Sequence, residues 1–161
     1  MYKTGDYIIY RKDVCKITEI KEKLYHNQDY YKLTPINDTS LKLVIPINNK
    51  FIRPLINQAK IDSIIANIPN IKALETNDKY IEQEYKRLMS SGSHEDLIKI
   101  IKTTYLRNKE RLDNNKKTTD KDNNYFKQAE KYLYTEFSVV MNISYEEAKE
   151  YVISKVKEIS K

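Results

Sequence analysis

The apolar residues of this chain change their repeat once, near Pro54, and that change constrains the fold more than any other feature. Before Pro54 they form short runs or alternate with polar residues, as strands do. After it they recur every three or four positions, as helices do. Tyr7-Ile8-Ile9-Tyr10 is a short run behind the turn pair Gly5-Asp6. Val14 to Ile20 alternates with period two. Tyr30 to Leu33 follows a polar stretch at His26 to Asp29. Leu41 to Pro46 follows the turn-rich Asn37 to Ser40, and Phe51 to Arg53 precedes Pro54. Pro46 lacks an amide donor and marks a strand end or a sheet edge. Five short strands with tight connections predict a small barrel-like or strongly bent sheet.

The rest predicts helices. Ile61, Ile64, Ile65 and Ile68 share a face until Pro69 stops the helix. Ile81, Tyr85, Leu88 and Met89 form a second stripe, with Gly92 suited to a left-handed cap. Ser93 and Asp96 open a third helix with the stripe Leu97, Ile100, Ile101 and Tyr105. Thr119 and Asp122 cap a fourth, striped by Phe126, Ala129, Leu133, Phe137 and Val140. Ser144 to Glu147 is a capping box for the last, with Ala148, Val152, Val156 and Ile159 inside. The expected fold class is α+β: a β module over 1–53, a linker over 54–58, and a compact domain of about five helices over 59–161.

Chemistry is hard to find. The two histidines, His26 and His94, fall in different predicted domains. With one cysteine and no acidic cluster at ligand spacing, neither a metal site nor a cofactor is expected. Two glycines in the whole chain leave no phosphate-cradling loop. Cys15 lies inside a strand and reads as a buried, inert thiol. No run of about 18 apolar residues offers a membrane span. The N-terminus has no apolar leader, so the expected compartment is the cytoplasm, and with no catalytic constellation the expected role is not enzymatic.

What remains is charge, with a formal net of +6. Residues 1–53 carry ten Lys and Arg against six Asp and Glu, and residues 79–117 repeat that ratio. Residues 118–161 carry seven against eight. The positive excess therefore sits in two places, and a partner for each is the expectation. Lys79, Lys86 and Arg87 fall on the second helix, and Lys102, Arg107, Lys109 and Arg111 on the third. Lys116 and Lys117 follow in the loop. Such residues suit phosphate contacts, and Tyr80 adds an aromatic beside them. A solvated face balanced by Glu95, Asp96 and Glu110 is the plainer alternative.

The order of motifs resembles that of CarD-type transcription regulators. Gly5-Asp6-Tyr7-Ile8-Ile9-Tyr10 is similar to the family's opening, and Ile17-Thr18-Glu19-Ile20 and Tyr31-Lys32-Leu33 to its next strands. Leu41 to Pro46 resembles its strand ending in Val-Pro. Tyr85-Lys86-Arg87-Leu88 before Ser91-Gly92, Leu97 to Lys102, Arg107 to Arg111, and Ala129 to Leu133 with Glu136 resemble its later helices. The resemblance implies a Tudor-like N-terminal module, of the kind shared with the transcription-repair coupling factor. That module would bind the β subunit of bacterial RNA polymerase. By position, Lys23, Lys42, Leu43, Val44, Ile45 and Pro46 carry this contact. It also implies a helical domain that touches promoter DNA at the upstream edge of the bubble, through backbone and minor groove, with low sequence specificity. That contact would stabilise the open complex. A monomer is expected.

Two departures stand out. The family's Pro-x-His-Gly after the first Tyr is replaced by Arg11-Lys12-Asp13-Val14. Its tryptophan wedge at the start of the second helix of the C-terminal domain is absent, and Tyr80 is the nearest aromatic. A wedge beside unpaired bases needs a flat apolar group. Two other functions stay open: a polymerase-bound adaptor that recruits another protein, and a stand-alone RNA-binding module with stacking aromatics.

Overall fold

Five strands built from the first repeat and five helices built from the second make this an α+β protein. The computed structural model describes residues 1–160. The strands are β1 (Tyr7–Tyr10), β2 (Asp13–Tyr25), β3 (Gln28–Pro35), β4 (Leu43–Pro46) and β5 (Ile52–Pro54). They form one antiparallel sheet in the order β4-β3-β2-β1-β5. The sheet does not close into a barrel, because β4 and β5 are its two edges.

The core of this unit is a set of directly paired residues. Ile8 opposes Cys15, Ile17 opposes Leu33, and Tyr31 opposes Ile45, all on one buried face. Cross-strand pairs of this kind are the unit of sheet stability. The turns work with few glycines. Gly5, at φ 96°, turns the N-terminal segment so that its N–H reaches Ile17 O at 2.8 Å. Arg11 takes the positive φ in the β1–β2 turn, at 60°. Its guanidinium lies 4.1 Å from the Phe51 ring centroid, and its N–H donates to Phe51 O at 2.9 Å. The backbone hydrogen bond and the stacking on Phe51 thus hold Arg11 in a conformation that side chains seldom adopt.

β2 runs five residues past the Ile20 at which its alternation ends. Lys21 to Tyr25 leave no period-two signal because most of them face water. They pair with β3 through a two-residue turn in which His26 and Asn27 both have positive φ, at 51° and 58°. A type I′ hairpin turn needs both. Two predicted strand starts move. β4 begins at Leu43, so Leu41 and Lys42 precede it, and β5 begins at Ile52, so Phe51 belongs to the turn before it.

Burial pushes the Cys15 thiol up from an ordinary 9.0 to about 12, with nearby Asp13 adding to the effect. The native thiol should resist alkylation at mildly alkaline pH and react fully in denaturant. The unfolded thiol ionises near its ordinary value while the folded one keeps its proton. Stability present at lower pH is therefore lost as pH rises through that interval. Burial likewise raises Tyr145 to about 12, and it raises Tyr85 and Tyr134 too. Urea midpoints should hold from neutral pH to just below pH 9.0 and then fall as pH rises towards about 12.

The chain divides into its two units between Leu55 and Ile56. Pro54 closes β5, and Asn57 already caps the first helix, accepting from Lys60 N–H at 2.8 Å. The helices are α1 (Gln58–Asn67), α2 (Ile81–Ser91), α3 (His94–Asp113), α4 (Asp120–Met141) and α5 (Tyr145–Ile159). Pro69 sits in a single 3-10 turn, Ile68–Asn70, after α1. Gly92 adopts the left-handed cap at φ 63°. Ser93 and Thr119 each accept an N–H three residues on at 3.1 Å, and Ser144 with Glu147 completes a reciprocal box. These satisfy helix-end donors that burial would otherwise leave orphaned.

The α3 stripe differs from its sequence pattern. Tyr105 faces solvent, while Ile98, Thr103 and Thr104 are buried. The threonine hydroxyls donate to the Lys99 and Ile100 carbonyls at 2.7 and 2.9 Å, so a polar-looking face is satisfied locally and packs inward. Ile159, at the last turn of α5, is also exposed. Among the described residues, no helix is long and apolar enough to cross a membrane.

Candidate functional site

The first candidate surface is the β4 edge of the sheet. Ile47 N–H donates to Asp29 O at 3.2 Å and Tyr31 opposes Ile45, which fixes the bonded register between β3 and β4. By alternation, the Ile45 and Leu43 amides turn towards β3, while Val44 N–H and C=O and the Pro46 carbonyl face away. Val44 is 44% exposed, and Ile45 is buried beneath the edge. The edge thus offers one outward amide, bounded by a proline that supplies none. Lys42 lies just before the strand, its Nζ 3.5 Å from Thr34 Oγ1. Lys23 sits elsewhere, in a bulge of β2 at φ 49°. Asp29 serves both places: its Oδ1 accepts Lys23 N–H at 3.0 Å, and its carbonyl takes Ile47 N–H.

The second surface lies at the start of α2 and the end of α3. Tyr80 occupies the position before α2, 48% exposed, with Lys79 Nζ 5.5 Å from its ring centroid. Its side chain therefore points to solvent. Arg107 Nη1 meets Asp78 Oδ1 at 2.8 Å, and Arg111 Nη2 lies 3.8 Å from Asp78 Oδ2. Asp78, Arg107, Glu110, Arg111, Asn114 and Lys116 line a polar cleft of about 170 Å³. Lys121, which the basic runs did not include, joins this end of the bundle through Glu82 at 3.6 Å.

The basic residues do not form one stripe. Lys102 is half-buried and donates to the carbonyls of Ile68 and Ile71, the latter at 2.7 Å. Desolvation lowers its pKa. It therefore closes the 3-10 turn against α3 and stands apart from the cleft. Arg107, only 20% exposed, also lies 3.2 Å from Asp122, whose carboxylate is fully buried. Lys86 and Arg87 pair along α2 with Glu82 and Glu84, at 3.9 and 2.8 Å. Exposed pairs of this kind hold little free energy, so both cations stay available to a stronger anion. Lys109, Lys116 and Lys117 are exposed. Of the ten candidates, Lys79, Tyr80, Arg107, Arg111 and Lys116 come together; Lys102 does not.

Asp78, Tyr85 and Asp122 also belong to this site, although the charge pattern does not point to them. A buried carboxylate beside a polar loop carries no mark in a single sequence, although Asp122 is legible as a cap residue. Among the described residues, no group of three His, Cys, Asp or Glu side chains gathers to hold a metal. Residues 2–56 match the family described as the CarD-like/TRCF RID domain. No curated protein matches the chain.

Proposed function

We propose that the whole chain is a promoter-bound transcription regulator whose N-terminal module interacts with RNA polymerase, a reading supported by the match of residues 2–56 to the CarD-like/TRCF RID domain family. The module docks on the polymerase β subunit through the free β4 edge, in the manner of strand addition. The helical unit then meets promoter DNA at high effective concentration, where weak, sequence-tolerant contacts suffice. Tyr80 rests beside the unpaired bases at the upstream edge of the bubble. Lys79, Arg111 and Lys116 face the phosphates. Preferential contact with opened DNA shifts the closed–open equilibrium, and about 1.4 kcal/mol of such preference shifts it tenfold. The protein works by binding alone, as a monomer in the cytoplasm, and catalyses no reaction.

The observation that carries this reading is Tyr80: a solvent-facing ring at a helix start, with an ammonium group beside it and two arginines nearby. An aromatic so placed has no core to fill, and it stacks readily on an unpaired base. Open complexes formed with polymerase holoenzyme should live severalfold longer with the protein than without it. Tyr80→Ala should abolish most of that gain while binding polymerase normally. An unchanged lifetime with the variant would favour the adaptor. Tight RNA binding without polymerase would favour the RNA-binding module.

A further inference from the structure

We propose that Tyr85, Asp122, Arg107 and Asp78 form a relay that positions Tyr80, with Arg107 acting on the DNA contact by holding the start of α2 and not by binding phosphate. This rests on the reading of Tyr80 as the base-contacting group. The relay runs from core to surface. The buried Tyr85 hydroxyl donates to Asp122 Oδ1 at 2.8 Å. Thr119 Oγ1 donates to Asp122 Oδ2 at 2.9 Å. Arg107 Nε lies 3.2 and 3.3 Å from the two Asp122 oxygens, which fixes the plane of the guanidinium. Its Nη1 is then aimed outward at Asp78, 2.8 Å away, and Arg111 reaches the second Asp78 oxygen from one turn further along α3.

Asp78 carries this order into the turn that bears the ring. Lys79 N–H donates to Asn77 Oδ1 and Tyr80 N–H to Asn77 O, both at 3.1 Å. Tyr80 O then accepts Glu84 N–H at 3.1 Å and starts α2. Tyr80 makes no side-chain cap bond, so its ring is placed by this backbone. Asp78 is the side chain that ties the turn to α3. Its role also explains an acid at a phosphate-facing surface: alone it would repel DNA, whereas here it fixes geometry. The Arg107 hydrogen bond holds its carboxyl below the usual range, so the tie is ionised at working pH.

Charge and positioning predict opposite signs for one substitution. Asp78→Ala removes a negative charge and frees two arginine faces. If charge alone mattered, DNA contact would strengthen. If the relay positions Tyr80, the turn loosens and ordering must be supplied on binding, which weakens the contact. Asp78 is 73% exposed, so the variant should fold and unfold almost as the parent does.

The test uses the full chain with polymerase holoenzyme and promoter DNA. Open-complex lifetime is measured for Asp78→Ala, Tyr80→Ala and the double variant, and amide hydrogen exchange for the free proteins. Asp78→Ala is expected to shorten the lifetime roughly threefold. It should add little to Tyr80→Ala, and it should speed exchange at Asp78 to Ile81 while the rest of α2 is unaffected. A longer lifetime, or unchanged exchange in that turn, overturns the relay while leaving the functional reading intact. A harmless Tyr80→Ala overturns the functional reading and the relay's role with it, even if exchange still shows the turn released.

Discussion

Replacing Asp122 by alanine is expected to cost the helical unit about 3 kcal/mol. The carboxylate is fully buried, and its two oxygens take the Tyr85 hydroxyl, the Thr119 hydroxyl and the Arg107 Nε. Its loss leaves a buried phenol without an acceptor and a half-buried cation with only the exposed Asp78 as partner. Removing one member of such a network costs more than the pair is worth, because the others remain desolvated. Tyr85→Phe should cost about 1 kcal/mol, since Asp122 keeps its other donors. Asp122→Asn should fall between the two. The measurement is urea unfolding followed by far-UV circular dichroism, whose helical signal arises in this unit alone. A midpoint for Asp122→Ala within error of the parent would show that the network orders the surface without holding the bundle together.

The same network explains why charge counting was a partial guide. Lys79, Arg107, Arg111 and Lys116 were legible as basic residues in one stretch, and the structure brings them to one end of the bundle. Their division of labour was not legible. Lys102 looks like its neighbours in sequence, yet it bonds two carbonyls some thirty residues upstream. Arg107 faces Asp122 fifteen residues downstream and Asp78 on the far side of α2. Such partners are set by packing between helices, and local pattern is silent about it.

Elements followed the reverse rule, because their signals are local. Gly92, Ser93, Thr119 and Ser144 end or begin helices where their chemistry said they would. A short apolar run locates β1, and alternation locates the first half of β2. Alternation fails for Lys21 to Tyr25, where both faces meet water and no period survives. The helical repeat fails in turn on α3, where Thr103 and Thr104 satisfy themselves and turn inward while Tyr105 turns out. In both cases the misread residues were judged by polarity, and the deciding term was where their hydrogen bonds go.

Val44→Pro is expected to weaken binding to RNA polymerase tenfold or more while leaving the β module folded. The Val44 amide faces away from β3, so its removal breaks no bond within the sheet. Proline is tolerated on an edge strand, and Leu43 before it is already extended, as the following ring requires. An incoming strand, however, would lose its donor from β4 and meet a pyrrolidine ring in its path. Val44→Thr keeps the amide and the branched shape, and it should bind within about twofold of the parent, because a lost tenfold corresponds to about 1.4 kcal/mol. Native resistance of Cys15 to alkylation reports in the same samples that the core pairing survives. If Val44→Pro binds as the parent does, main-chain pairing at β4 is not the contact. The exposed side chains of Lys23 and Lys42 would then carry it, and charge reversal at each would be the measurement that separates them.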